Sequence, residues 1–219
     1  MVVHHLPNPK EAQAYRIPNI WKGDLETPVG KAMTSCDSQG PLSMMIVKII
    51  VDPHAGEIAV GRVFSGTLSK GQELYINGAS GKFKIQTLAM MVGPDRIQVD
   101  SIAAGNIAAV IGLKSAIAGS TVSAASDMEP FEPMTHYTDP VVTLAIEAKH
   151  TSDLPKLIEV LKTVSKADPS IQVNINQETG EHLISGMGEL HLEVTLYRIK
   201  NDYKIDVTTS DPIVVYRET

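Results

Sequence analysis

The chain has 219 residues, a single cysteine and a net charge of −6, from 19 basic and 25 acidic residues. One thiol leaves no disulfide framework within the chain and fits a reducing compartment. The acidic balance argues against coating duplex DNA by bulk charge, and no apolar run approaches the roughly 18 residues of a membrane-spanning helix. The N-terminal stretch lacks a positive region followed by an apolar block, so it does not read as a signal peptide. A cytoplasmic location is the expectation. Aromatic residues make up only 5%, so the core must rest on Ile, Val, Leu, Ala and Met.

Residues 1–42 show weak periodicity and scattered prolines, and read as an extended lead-in with at most one helical turn near Lys10–Ala14. The first strong signal is Met44–Val51, rich in β-branched residues and stopped by Asp52-Pro53. Glu57–Phe64, Gln72–Ile76, Lys82–Val92, Arg96–Val99, Ile107–Leu113 and Thr121–Ala124 follow. Asn77-Gly78, Gly93-Pro94 and other turn pairs separate several of them. Seven short strands with no helix between them predict an antiparallel β-barrel over 43–126. Residues 127–140 are proline-rich and aperiodic, and read as a linker.

The pattern then changes. Val141–Ala148 reads as a strand. Thr151-Ser152-Asp153 offers N-cap candidates and Pro155 suits an early helical position. Leu154, Leu157, Ile158, Leu161 and Val164 recur at helical spacing, and Asp168-Pro169 stops the helix. Ile171–Asn176 and His182–Ser185 read as strands around a turn at Glu178-Thr179-Gly180. A second helix over Glu189–Lys200 carries two apolar rows: Leu190, Val194 and Tyr197, and Leu192, Leu196 and Ile199. Tyr203–Val207 reads as the last strand. The order β-α-β-β-α-β over 141–219 predicts a split βαβ, ferredoxin-like α+β domain.

No G-x-x-x-x-G-K-[ST] phosphate loop occurs. Gly186-Met187-Gly188 opens a helix, where free N–H groups can meet an anion. Without a neighbouring lysine, the better reading is close approach of strand and helix. His182, Glu189, His191 and Glu193 cluster in sequence, but His191 points about 200° from Glu189 on a helix and there is no H-E-x-x-H. A solvated acidic face and a packed or polar His are the plainer reading. A hydrolase acting through Glu189, Glu193 and His191 is a remote alternative. Residues 43–125 carry seven Lys/Arg against five Asp/Glu, whereas 140–219 carry eight against twelve. A phosphate-facing patch therefore belongs to the first region. Arg62 on a strand, Lys70 in the next turn, and Lys82 and Lys84 on one strand face are its candidates. From composition alone, a solvated barrel face is the favoured reading of them.

Ser35-Cys36-Asp37, Gly61-Arg62-Val63-Phe64-Ser65-Gly66, Lys70-Gly71 and Gly105-Asn106-Ile107 resemble the second domain of translational GTPases. Asp153-Leu154-Pro155-Lys156-Leu157, Ala167-Asp168-Pro169, Gly180-Glu181-His182 and Gly186-Met187-Gly188-Glu189-Leu190-His191-Leu192-Glu193 resemble the third domain of the elongation factor G/elongation factor 2 translocases, with an archaeal cast. Tyr216-Arg217-Glu218-Thr219 resembles the point where that family runs on into its fourth domain. The resemblance implies a fragment with domains II and III, which is no enzyme and holds no cofactor of its own, GTP and magnesium belonging to a G domain. It implies ribosome docking on small-subunit RNA through Arg62, Ser65, Lys70 and Lys84. It implies an interdomain relay through Glu181, Glu189 and His191. The expected partners are the ribosome, including a small-subunit protein, and the G and C-terminal domains of the same monomeric factor. A self-standing RNA-binding barrel is the alternative.

Overall fold

A computed structural model describes residues 1–52, 56–93, 95–132, 139–177 and 179–212. Pro53, Pro94, Glu178 and the Tyr216–Thr219 motif, cited above as stops, turn and continuation point, lie outside the described residues, as do 133–138 of the expected linker. The chain divides into two units, Met1–Met134 and Thr135–Thr219.

The lead-in is helical, not extended. Helices α1 (Val2–His5), α2 (Pro9–Ile20) and α3 (Pro28–Ser35) precede the first strand. The signals are local. Asn8 caps α2 by accepting from the Glu11 N–H, with Pro9 in the first turn. Thr27 caps α3 by accepting from the Gly30 N–H, with Pro28 after it. Side-chain caps satisfy orphan donors, and Pro fits where no N–H is needed. Periodicity misses α2 because its buried face is only Gln13 and Ile17, one of them polar.

Ten strands follow: β1 (Ser43–Asp52), β2 (Gly56–Ser65), β3 (Thr67–Ser69), β4 (Glu73–Ile76), β5 (Lys82–Lys84), β6 (Thr87–Val92), β7 (Asp95–Gln98), β8 (Ser101–Ala103), β9 (Ile107–Ile111) and β10 (Thr121–Ser123). Eight form one antiparallel sheet in the order β5-β4-β10-β1-β2-β9-β6-β7, and β3 pairs with β8. The expected strand Lys82–Val92 is one segment bent at Ile85-Gln86. Its first half pairs with β4 and its second with β9, at the two sides of the sheet. One covalent bend thus joins both sides, and the sheet curls into a barrel. At the seam the Gln86 N–H donates to the Ile111 carbonyl. Gly112 lies against the Lys84 carbonyl, where a Cβ would come within 2.3 Å, and its φ is +121°. Only glycine fits there. Inside lie Met44, Ile46, Val63, Leu68, Leu74, Leu88, Val110 and Val122, all completely buried.

The helices pack on the outside of β2. Ile17, Trp21 and Met33 meet Phe64, Met128 and Phe131. Phe64 and Phe131 have ring centroids 4.9 Å apart, and the Trp21 indole donates to the Glu129 carbonyl at 2.7 Å. Residues 127–132, expected to be linker, therefore belong to this packed layer. Buried Gln13 donates through Nε2 to the carbonyls of Met33 and Phe64, clipping α2 to α3 and to the barrel.

The second unit contains β11 (Val142–Ala148), a 3-10 turn (Thr151–Asp153), α4 (Leu154–Ala167), β12 (Gln172–Ile175), β13 (His182–Gly186), α5 (Glu189–Asn201) and β14 (Val207–Ser210). The last strand starts where the expected one ends, because Ile205 turns fully inward before the chain pairs with β11. The sheet order is β12-β13-β11-β14, with antiparallel neighbours throughout. Ile146, Leu157, Leu161, Ile184, Leu192 and Ile199 form its core. Of the two rows on α5, Leu192 and Ile199 are buried; Leu190 and Tyr197 are 73% and 68% exposed.

Gln13→Ala removes both clipping hydrogen bonds and leaves the Met33 carbonyl only its 3.3 Å bond from the Cys36 N–H. Urea unfolding should show a loss of about 2 kcal/mol. An unchanged midpoint would mean that the clip contributes nothing.

Candidate functional site

The four residues expected to face RNA do not share one environment. Ser65 is fully buried. Its hydroxyl donates to the Pro41 carbonyl at 2.6 Å, which leaves its oxygen to accept from Ser43, also at 2.6 Å. Ser65 ties the barrel's entry strand to β2 and reaches no ligand, so it leaves the RNA-facing set. Lys70, in the turn after β3, and Lys84, on β5, are both exposed. Lys82 beside them pairs with Glu73 at 3.8 Å and lies 5.6 Å over the Tyr75 ring. Lys84 is the less committed charge.

Arg62 is half-buried on β2, between Met45 on β1 and Ile107 on β9. Burial holds its guanidinium below the ordinary arginine value; the nearby Cys36 sulfur opposes this, and repulsion from Arg16 on α2 adds to it. Arg62 thus sits against the helical layer and not on an open barrel face.

The three relay candidates are also separated. Glu181 lies in the turn before β13, where its carboxylate accepts from the Thr179 hydroxyl at 2.9 Å. Glu189 and His191 lie in the first turn of α5, after β13. The five residues of β13 hold the two ends roughly 16 Å apart. Glu189 is exposed. His191 is turned inward: Nδ1 accepts from the Met187 N–H at 3.3 Å, so Nε2 carries the hydrogen and donates to Asp168 Oδ2 at 3.2 Å. Gly186 makes room for this turn, since a Cβ there would lie 2.9 Å from Leu192 and 3.1 Å from His191 Nδ1. The Gly-Met-Gly stretch is thus built for close approach at Gly186, while Gly188 meets nothing.

Asp168, read from the sequence as a helix stop and as part of the Ala167-Asp168-Pro169 motif, is the second half of this strut. Burial pushes its carboxyl up. Hydrogen bonds from the Ser170 hydroxyl and N–H and from His191 outweigh it, and the carboxyl rests below its usual value. Asp168 also caps α4, donating its N–H to the Val164 carbonyl. His191 therefore joins the start of α5 to the end of α4.

Two of the surface concavities among the described residues bear on the candidates. One, of about 350 Å³, is lined by Gly56, Glu57, Gln86, Ile111, Gly112 and Lys114. The other, of about 280 Å³, lies between α4 and β12 and is lined by Ile158, Leu161, Lys162, Val173, Ile175 and His182, among others. Neither includes a residue of the expected RNA-facing or relay sets. Among the described residues no three or more His, Cys, Asp or Glu side chains are grouped to hold a metal ion, and no helix is long and apolar enough to cross a membrane.

Residues 56–123 match the family model of elongation factor Tu domain 2, and residues 137–211 match that of elongation factor G domain III. Across all 219 residues the chain is 78% identical to elongation factor 2 of Picrophilus torridus, 75% to that of Thermoplasma volcanium and 60% to that of Archaeoglobus fulgidus. The chain belongs to the elongation factor 2 family. It spans 30% of the length of these relatives, the stretch holding domains II and III. The family's third-domain motif Gly186–Glu193 is, in this chain, a packing device at Gly186 and His191 flanked by the exposed charge of Glu189. The sequence signal for Asp168 was present in the family motif Ala167-Asp168-Pro169. Arg16 carried no signal at all, because its relation to Arg62 exists only after α2 has folded.

The sign of the Asp168 effect follows from its lowered folded value. Its contribution is complete above the ordinary value of 3.8 and is lost as pH falls through the lower folded one. Asp168→Asn should flatten the acid limb of the stability curve between about pH 5 and about pH 2. His191→Ala should destabilise the same unit at neutral pH. A parallel acid limb in wild type and Asp168→Asn would exclude the strut.

Proposed function

We propose that this chain serves as the ribosome-docking and relay segment of a cytoplasmic, monomeric GTP-dependent translocase. The translocase moves tRNA and mRNA during protein synthesis. The observation that carries the reading is identity of 75 to 78% to elongation factors 2 over the entire chain. Nucleotide and magnesium would be held by a G domain outside the chain, and hydrolysis is not assigned to these residues.

Within this reading the barrel is the docking body. Lys70 and Lys84 are exposed cations on it, suited to backbone phosphates of small-subunit RNA, where a Lys ammonium acts as a point charge. Arg62 contributes from beneath the helical layer. The second unit is the relay body. Its order β12-β13-β11-β14, with α4 and α5 as the two crossovers, supports a split βαβ, ferredoxin-like assignment. Relay needs a body that moves as one piece. The His191–Asp168 strut supplies stiffness at the α4–α5 corner, while Glu189 and Glu181 remain polar contacts at opposite ends of β13, toward the G and C-terminal domains and a small-subunit protein. His191 acts on the relay through α5.

Reversing Lys70 and Lys84 to Glu in the full-length factor should weaken ribosome binding by at least about tenfold at low salt. It should also flatten the salt dependence, since each lost phosphate contact removes about 0.7 to 0.9 from the logarithmic slope. Sedimentation with ribosomes across a salt series measures both. Unaltered affinity and slope would remove the two lysines from the docking surface.

A further inference from the structure

The second unit leaves one edge of its sheet open. In the order β12-β13-β11-β14, strand β12 has a neighbour on one side only. The register settles which groups that leaves outside. The Asn176 N–H donates to the Glu181 carbonyl across the hairpin, while the Gly186 carbonyl, on β13, turns the other way and accepts from Val141. In an antiparallel ladder, bonded and unbonded pairs alternate along each strand. Gln172 and Asn174 therefore bond to β13, and the N–H and C=O groups of Val173 and Ile175 point away from the sheet. Among the described residues nothing pairs with them on that side.

The groove between α4 and β12 lies along this edge. Val173 and Ile175 line it together with Ile158 and Leu161 of α4, and Ile175 is 58% exposed. The far wall is fixed, because the Ser165 hydroxyl on α4 donates to the Ile171 carbonyl at 3.0 Å, just before β12. His182, opposite Ile175 on β13, lines the same groove. Lys162 lines it too, exposed and with no ion-pair partner among the described residues. Free backbone donors and acceptors beside an apolar groove are matched by another backbone in the β conformation, which is what an open edge recruits.

We propose that the β12 edge takes up an extended segment of a separate protein as an added strand of this sheet. One apolar side chain of the segment sits in the groove, and an acidic one two residues along meets Lys162. Residues two apart in a strand share a face, so one segment reaches both. Main-chain hydrogen bonds supply the affinity and the groove supplies the selectivity. Val173 and Ile175 together offer only two donors and two acceptors. That suits a partner that binds and leaves rather than a permanent strand of the fold. Neither the edge nor the groove depends on the translocase reading.

The test titrates the whole 15N-labelled 219-residue chain with the peptide acetyl-Thr-Val-Thr-Glu-Thr-amide. The backbone amide signals of Val173 and Ile175 should move together and saturably, and their hydrogen exchange should slow. N-methylation of one alternating set of peptide amides should weaken binding about tenfold, and methylation of the other set should leave it unchanged, because only one set faces β12. Equal effects from both sets would mean apolar adsorption and overturn the added strand. Ile175→Pro removes one outward N–H and no bond to β13, and should also weaken binding about tenfold. If that variant fails to fold, the methylated peptides still decide. Lys162→Glu should weaken binding about threefold and reverse the preference between this peptide and one with lysine in place of its glutamate. A peptide that moves neither signal at millimolar concentration sinks the proposal. So does binding by the chain and not by the full-length factor, since the factor's own domains then cover the edge. Movement of the same two signals on concentrating the chain without peptide assigns the edge to a second copy and excludes the separate partner.

Discussion

The first unit depends on one bend. Strand segment Lys82–Val92 turns at Ile85-Gln86 so that it pairs with β4 on one side and β9 on the other. A sheet whose two sides are halves of the same segment has most of its edge hydrogen-bonding groups already used. The bend is possible because Gly112 lets the Lys84 carbonyl approach a neighbouring backbone too closely for any side chain. Everything outside the barrel rests on the platform so formed. Phe64 and the carbonyl of the same residue receive the helical layer, one through packing and the other through Gln13.

That layer changes what the barrel can present. An Arg62 on a bare strand face would be a solvated cation. Against the helical layer it becomes a half-buried one, its charged form disfavoured by burial. The helices therefore sharpen one charge and leave Lys70 and Lys84 open. A docking body benefits from both kinds: exposed lysines steer association over distance, and a preorganised guanidinium fixes register at contact.

The second unit is organised differently. Its sheet is open, its helices lie between strands, and its critical link is polar. His191 accepts a hydrogen bond from a backbone N–H on one nitrogen and donates one to Asp168 from the other. That pairing orients the first turn of α5 while Leu192 and Ile199 anchor the helix in the core. The row Leu190, Val194 and Tyr197 is left outward. Both rows looked equivalent as periodic patterns. The choice between them was made by the sheet, which has room for one helix face only.

What the sequence alone determined is what repeats at short range. Alternation and turn pairs located most of the barrel strands, and helical spacing with Asp168-Pro169 located α4. Family motifs located both domains, because motif residues are read one by one without a fold. Tertiary structure decided the rest. Ser65 looked like a surface residue of a ligand-facing motif, and three-dimensional pairing with Ser43 and Pro41 put it inside. The lead-in looked extended because its helices hold together through caps and a buried glutamine, neither of which makes an apolar period. Residues 127–132 looked like linker because Trp21, their partner, is more than a hundred positions away. Contacts of that length leave no periodic trace, so only the folded chain can show which residues meet.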